Sequence, residues 1–250
     1  MPELTTFSVV ARCPHTGRLG VAVSTAVPAV GALCPFVRAG IGAVSTQSWV
    51  NPYLAIEALD RMAAGASASE ALDAALGGDD ARHLRQIGMV DATGRSAAWT
   101  GEGCTPSAGQ ILGPGFAIQG NMLLGETTLT AMRDAFLVSD GEAFDERLMR
   151  ALEAGQTAGG DKRGKQSAAL LIHDREAYPW LDLRVDEHAQ PVGELRRVLA
   201  IARLQLRPFL DGMPRRGLPA MGLPPKVADM LLASPPDRPG NGGSVQEEIP

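Results

Sequence analysis

Two stretches near the start of the chain, Thr6-Phe7-Ser8-Val9-Val10-Ala11 and Leu19-Gly20-Val21-Ala22-Val23-Ser24, decide the class of fold. Their alternating pattern of β-branched and small residues is typical of strands, and Pro14-His15-Thr16-Gly17 between them has turn chemistry. The pair therefore predicts a β-hairpin. A third strand is predicted over residues 40–47, where glycine and alanine would let another layer approach closely.

Outward from this hairpin, the predicted strands and helices come in runs. Apolar residues at three- and four-residue spacing predict helices over residues 53–64, 69–76, 126–136, 144–154 and 192–206. Further strands are predicted over residues 85–90, 96–100, 116–121, 167–172 and 181–186. Runs of strands and helices, rather than strict alternation, indicate an α+β fold built in layers. No GxGxxG or P-loop signature opens a helix, so nucleotide binding has no support.

The composition restricts the class of protein. Of 250 residues, 45% are hydrophobic and 20% are charged, with 23 Lys+Arg against 28 Asp+Glu, which indicates a folded globular protein and disfavours nucleic acid as a partner. The chain has no apolar run of the ~18 residues that a membrane span needs and no secretory signal at its start. We therefore expect a cytoplasmic protein that does not bind membranes. Three cysteines without a CxxC pair argue against a disulfide framework.

The chain is predicted to consist of one domain, residues 1–210, and a Pro/Gly-rich tail, residues 211–250, that is partly disordered or docks on a neighbouring surface. Eight of the 18 prolines follow Asp211, a composition that does not build a core of its own. Within the tail, residues 226–232 are predicted to form a short amphipathic helix. A layered domain with such a tail leads us to expect a homodimer.

Thr6 is the candidate nucleophile. An N-terminal nucleophile is a hydroxyl at the start of a strand that attacks a carbonyl, while its own α-amine, with an unperturbed pKa of ~7.7–8.0, accepts the proton. The alternative is that Thr6 is a β-branched residue that merely opens a strand. The four histidines have no second ligand at metal spacing, so no metal and no cofactor are expected. Cys13, a further candidate nucleophile, fits better as a filler of the hairpin turn.

Several motifs resemble the DUF1028 family. They lie in collinear order over about residues 6 to 205, and they are residues 6–12, 16–23, 29–31, 39–47, 159–170 and 182–188. The resemblance implies a four-layer αββα sandwich of the Ntn-hydrolase type, with two stacked, mainly antiparallel sheets flanked by helices. Ntn hydrolases cleave amide-type C–N bonds with a Thr, Ser or Cys exposed as the mature N-terminus. The family itself is one of unknown function, so the resemblance names no substrate.

The chain departs from the family pattern at its start. Many relatives begin Met-Thr-Phe-Ser, whereas five residues precede Thr6 in this sequence. An N-terminal nucleophile here requires cleavage of the Thr5–Thr6 bond, by self-processing or by another protease, and without cleavage the Ntn mechanism fails. A second departure is Cys13, where relatives often have an acidic residue, and a turn position tolerates either.

Polar residues at strand ends, with Thr25 and Gln119 among them, are the predicted supporting groups. Asn121 and Gly120 are predicted to donate hydrogen bonds to an oxyanion, and Ser24, Thr46 and Gln47 are predicted to bind substrate. The alternative for each is that a strand end is polar because it reaches solvent.

The glycine-rich loop before residue 167 is the other candidate region. Asp161 is predicted to orient Arg163, which would clamp a substrate carboxylate beside Ser167, although the loop also fits a solvated turn. Asp182, Arg184, Asp186 and His188 alternate along one strand and fit either a site or a structural ion-pair ladder.

The leading hypothesis is a hydrolase that cleaves a C–N bond, amide or ureido, of a small and carboxylated substrate through an N-terminal Thr6. A second hypothesis is a non-catalytic small-molecule binding protein with the same fold and no processing. A third is hydrolysis by an unprocessed chain through Ser8, Thr46 or a cysteine.

Overall fold

The computed structural model describes residues 6–105, 107–125, 127–160, 163–219 and 222–232. The chain divides into two compact units, residues 1–196 and residues 197–250. The end of the predicted tail, residues 233–250, lies outside the described residues. Among the residues that are described, no helix has both the length and the apolar character needed to cross a membrane.

The described residues of the first unit form ten strands in two antiparallel sheets. The strands are β1 Thr6–Arg12, β2 Leu19–Thr25, β3 Pro35–Arg38, β4 Gly42–Ser48, β5 Arg85–Asp91, β6 Ser96–Thr100, β7 Gly109–Gly113, β8 Phe116–Asn121, β9 Ser167–His173 and β10 Leu181–Val185. The larger sheet has the order β10-β9-β2-β1-β8-β7, and the smaller has the order β3-β4-β5-β6. The predicted hairpin is confirmed as β1 and β2, and β1 is a central strand of the larger sheet.

The two sheets stack through residues that alternate along their strands. Val10 of the larger sheet lies in one apolar cluster with Ala43 and Val90 of the smaller sheet. The side chain of Gln119 lies over Gly88, where a Cβ atom would lie 2.1 Å from the Oε1 atom of Gln119 in the other sheet. A side chain at position 88 would therefore displace the Gln119 amide.

Helices cover the outer face of each sheet. They are α1 Pro52–Ala63, α2 Ala68–Gly77, α3 Thr127–Val138 and α4 Phe144–Thr157. Helices α1 and α2 share an apolar cluster with Ile87 and Met89 of β5, and α4 contacts the larger sheet where a Cβ on Gly20 would lie 2.9 Å from Leu148. Ser67 and Glu70 form a capping box at the start of α2. The predicted α+β class is confirmed as an αββα sandwich.

Three elements differ from the prediction. Strands β3 and β7 were not predicted, because β3 has only four residues and β7 begins and ends with glycine. The helix predicted over residues 192–206 is an α-helix, α5, only over Pro191–Ile201, and Ala202–Leu206 is a π-helix. Two helices follow, α6 Arg207–Gly212 and α7 Pro225–Leu232, and α7 lies where the short tail helix was predicted.

Candidate active site

Thr6 begins β1 in a row of polar residues that crosses four strands of the larger sheet. It pairs with Thr25 of β2 on one side and with Asn121 of β8 on the other, and Thr25 pairs in turn with Ser167 of β9. Residues directly opposite each other in antiparallel strands present their side chains on the same face. The topology therefore brings hydroxyl and amide groups from four strands to one end of one sheet face.

This face is turned towards the smaller sheet. Side chains along a strand alternate between faces, so Ser8 and Val10 share the face of Thr6. The Oγ atom of Ser8 donates a hydrogen bond to Oε1 of Gln47 in β4 at 2.7 Å. The candidate site thus lies between the two sheets, and all of these side chains are buried.

Two hydrogen bonds hold Thr6. Its Oγ1 atom donates to Oγ1 of Thr25 at 3.2 Å, and its carbonyl oxygen accepts from Nε2 of Gln47 at 3.1 Å. Thr6 is only 2% exposed. Both the hydroxyl and the backbone of the candidate nucleophile are therefore positioned by buried polar partners, one in each sheet.

Gln86 of β5 connects the residues around Thr6. Its Nε2 atom donates to the carbonyl oxygens of Gly120 and Gly109, at 2.8 and 3.1 Å. Its Oε1 atom accepts from Nε2 of Gln47 at 2.8 Å and from Nδ2 of Asn121 at 2.9 Å. One side chain of the smaller sheet therefore joins two groups that adjoin Thr6.

A second amide completes the polar interior. Nε2 of Gln119 donates to Oγ of Ser8 at 2.8 Å. Two buried acceptors, Oε1 of Gln119 and Oδ1 of Asn121, have no hydrogen-bond partner among the described residues. Buried polar atoms without partners are uncommon in folded proteins, so each of the two calls for a physical reason.

Strained backbone occurs at the ends of two strands at this site, β4 and β8. Met122, directly after Asn121, has φ 48°, and Ser48, directly after Gln47, has φ 66°. Non-glycine residues in the left-handed region cost free energy and occur preferentially at functional sites. The strain is consistent with a site at this end of the sheets.

The predicted supporting residues divide into two groups. Gln47 and Asn121 lie beside Thr6, as described above, and Gly120 contributes its carbonyl oxygen to Gln86. Thr46 is on the opposite face of β4 from Gln47, and its Oγ1 donates to the carbonyl of Asn51 at 3.3 Å, at the start of α1. The structure therefore does not bring the Thr46 hydroxyl to Thr6.

Ser24 and Ser167 join neighbouring strands and a loop. Oγ of Ser24 donates to the carbonyl of Ser167 at 3.2 Å, and Oγ of Ser167 donates to the carbonyl of Val27 at 2.6 Å. Ser167 also accepts from the backbone N–H of Val30 at 3.1 Å. These bonds fix Ser167 at the end of the polar row. Ser24 pairs with Phe7 and is on the opposite face of the sheet from Thr6.

The glycine-rich loop is described only in part. Arg163 is exposed, and Asp161, its predicted partner, lies outside the described residues, so that pairing stays a prediction. On β10, Arg184 makes two hydrogen bonds to Asp182 at 2.8 and 2.9 Å on an exposed face, which favours the ion-pair ladder for these two residues. Hydrogen bonding by Asp182 raises the pKa of Arg184.

Neither metal ligands nor a histidine join the polar row. His173 lies at the opposite end of β9, and burial lowers its pKa. The described part of the chain contains no group of three or more His, Cys, Asp or Glu residues able to hold a metal ion.

Sequence reasoning missed Gln86, whereas Gln119 was predicted as one of the polar groups at a strand end. Both interrupt otherwise apolar or small-residue strands, Arg85–Asp91 and Phe116–Asn121. A long amide in a buried strand needs partners, and that pattern was the available signal. Thr25 was noted only as the polar end of a strand, and its pairing with Thr6 comes from the register of the hairpin.

Comparison with known proteins gives a family match and several similar solved structures. The model of the family described as "Family of unknown function (DUF1028)" matches residues 6–195. A DUF1028 protein from Silicibacter pomeroyi, SPO2555, is 30% identical with a TM-score of 0.74, over 79% of this chain and 89% of that chain. Anbu (ancestral beta-subunit) from Yersinia bercovieri is 13% identical with a TM-score of 0.37, over 85% of this chain and 100% of that chain. No curated protein matches the chain.

Proposed function

The chain belongs to the DUF1028 family, and from that premise we propose that it is a hydrolase that cleaves an amide or ureido C–N bond of a small, carboxylated substrate. Thr6 is the nucleophile, exposed by cleavage of the Thr5–Thr6 bond. The observation that carries the proposal is the position of Thr6, which begins a central strand with its hydroxyl and carbonyl both held by buried polar groups.

The proposed reaction has two steps. The Oγ1 atom of Thr6 bonds to the substrate carbonyl carbon, its proton passes to the freed α-amine of the same residue, and the C–N bond breaks as the leaving nitrogen takes that proton. Water then adds to the resulting ester, releases the acid and restores the hydroxyl. Atoms balance with one water consumed, and no cofactor is required.

Supporting groups are assigned by their chemistry. Asn121 uses one N–H for Gln86 and has a second N–H to offer, with backbone amides, to an oxyanion. Arg163 is the proposed anchor for the substrate carboxylate. The residue before Thr6 is bonded to the α-nitrogen of Thr6, and Cα atoms of consecutive residues are only ~3.8 Å apart. Cleavage of this bond would therefore free space beside the nucleophile.

The αββα layering supports the proposal through the resemblance to Ntn hydrolases, which use this arrangement. That resemblance concerns the fold and gives no substrate. The substrate class comes instead from the groups assigned above, a hydroxyl nucleophile, amide donors and one guanidinium.

Intact-mass measurement with N-terminal sequencing of the purified, folded protein tests the mechanism. We expect a chain that begins at Thr6. Thr6→Ala is expected to abolish hydrolysis, whereas Thr6→Ser should keep part of it because the hydroxyl remains. Thr128→Val is the matched control, because Thr128 is equally buried and its hydroxyl has no partner among the described residues. A folded chain that begins before Thr6 and hydrolyses nothing would instead support the binding-protein alternative, which ligand-dependent thermal shifts test.

A further inference from the structure

The amide orientations around Thr6 are determined by backbone groups whose chemistry is unambiguous. The carbonyl oxygens of Gly109 and Gly120 only accept hydrogen bonds, so the Gln86 atom that faces them is the nitrogen. The other terminal atom of Gln86 is then an oxygen. It accepts from Gln47, whose Nε2 also faces the carbonyl oxygen of Thr6.

The same reasoning fixes Asn121. Its terminal atom 2.9 Å from Oε1 of Gln86 must be the nitrogen, because two amide oxygens at that distance would repel each other. Rotating the amide by half a turn would create this repulsion, and Gln86 could not turn to relieve it without losing both carbonyl partners. The Oδ1 atom of Asn121 is therefore presented as an acceptor on the side away from Gln86.

Of the two unpartnered acceptors in the network, the Oδ1 atom of Asn121 is the one placed to bind a ligand. Asn121 is 1% exposed, and Oδ1 has no hydrogen-bond partner among the described residues. The other such acceptor in the network, Oε1 of Gln119, lies against Gly88 of the facing sheet, at the position a Cβ atom would take. Close packing explains Gln119, whereas Asn121 lies directly opposite Thr6 in the sheet.

We propose that Oδ1 of Asn121 accepts a hydrogen bond from a substrate N–H next to the carbonyl that Thr6 attacks. Asn121 is thus a residue that determines specificity, and the site selects primary and secondary amides or ureido compounds over tertiary amides. The inference rests on the proposed function, because it takes Thr6 as the position of the reacting carbonyl. A site that hydrogen-bonds a substrate N–H rejects an analogue without it far more strongly than an apolar pocket rejects a small change in size.

Matched substrates test the inference on the full chain. The probes are N-acetyl and N-carbamoyl amino acids, each paired with a fully N-methylated counterpart that has no N–H beside the carbonyl. The kcat/KM ratio within each pair and the Tm shift caused by each member are measured. We expect the N–H members to be preferred by at least about 100-fold in kcat/KM, and only they should raise Tm.

Two variants connect the preference to Asn121. Asn121→Leu has the same branching at Cγ but no acceptor, and it is expected to bring the kcat/KM ratio close to 1. Asn121→Asp keeps the free oxygen, and its second oxygen is satisfied against Gln86 only when protonated. This variant is expected to retain the preference at mildly acidic pH and to lose it as pH rises. The unliganded Tm of each variant shows whether it is folded.

The outcomes separate this inference from the proposed function. Equal use of N-methylated members by the unmodified chain, or an unchanged preference in a folded Asn121→Leu variant, overturns the inference. Failure of every pair to react or to shift Tm overturns the substrate class. An uncleaved chain whose Tm still discriminates N–H members overturns the mechanism of Thr6 but supports the role of Asn121.

Discussion

Gly88 leaves space between the two sheets for a buried side chain of the opposite sheet. The Oε1 and Cδ atoms of Gln119 lie 2.1 and 2.5 Å from the point where a Cβ on Gly88 would be. The space over Gly88 lets Gln119 lie where its Nε2 reaches Oγ of Ser8. Glycine at position 88 therefore makes room for the Gln119 amide and its hydrogen bond.

Gly88→Ala is accordingly expected to destabilise the protein. The added methyl group displaces the buried Gln119 amide and its hydrogen bond to Ser8, and we expect the free energy of unfolding to fall by about 1–3 kcal/mol. Urea denaturation measures it. Gly109→Ala is the matched control, because its Cβ would lie an ordinary 3.5 Å from Leu129, and we expect a change within about 0.5 kcal/mol. Equal losses in the two variants would show that Gly88 has no special role.

At the scale of elements, local sequence determines some strands and not others. The hairpin of β1 and β2 follows from alternation and turn chemistry within one short segment. Strands β3 and β7 have no comparable local signal, and their conformation comes from pairing with β4 and β8. The periodicity of the sequence therefore does not reveal strands, such as β3 and β7, that form only by pairing with another strand.

The residues of the candidate site likewise include some that local sequence predicts and some that depend on distant parts of the fold. The polar ends of β1 and β8 predicted Thr6 and Asn121, and the topology places these residues opposite each other. Thr46 and Gln47 belong to the same strand end, but the two-residue period turns only Gln47 towards Thr6. Gln86 belongs to the other sheet, so its role depends on how the layers stack, which the sequence pattern does not specify.

An ion pair connects α2 to the strand that carries Gln86. Asp79, just after α2, makes two hydrogen bonds with Arg85 at the start of β5, at 2.7 and 3.3 Å. The bond to Arg85 lowers the pKa of Asp79 from 3.8 to about 2. The folded state therefore binds this proton less tightly than the unfolded chain does. The resulting stability is present above about pH 4 and is lost as the pH falls towards 2.

Asp79→Asn is expected to flatten the dependence of stability on pH in this window. We expect the free energy of unfolding to fall less steeply between about pH 4 and pH 2 than in the unmodified protein. Urea denaturation at several pH values measures the slope. Asp60→Asn is the control, since Asp60 pairs with Arg38 on the surface, where both side chains are largely exposed. The same slope in the Asp79→Asn variant and the unmodified protein would refute the assignment.

At the scale of the whole domain, the space between the sheets has an apolar end and a polar end. Along β1, Val10 meets the apolar residues of the smaller sheet, whereas Ser8 and Thr6 meet Gln47. A buried polar network stabilises a fold only when its members are satisfied, and an apolar core avoids that requirement. The unpartnered oxygen of Asn121 is therefore a cost that folding alone does not explain, and a bound substrate would offset it.

Gln86→Met tests whether the polar end of the sandwich depends on one side chain. Methionine matches glutamine in length but leaves the carbonyls of Gly109 and Gly120 and the amide of Asn121 without their partner. Each buried group left unpaired costs about 1–3 kcal/mol, and allowing for relaxation we expect a loss of about 2–4 kcal/mol in urea denaturation. Gln110→Met is the control, because Gln110 also bridges the sheets, through Ala98, but at an exposed edge. We expect Gln110→Met to lower the free energy of unfolding by less than about 1 kcal/mol. A loss in Gln110→Met as large as that in Gln86→Met would show that the stabilising contacts lie at the exposed edge of the sheets and not around Gln86.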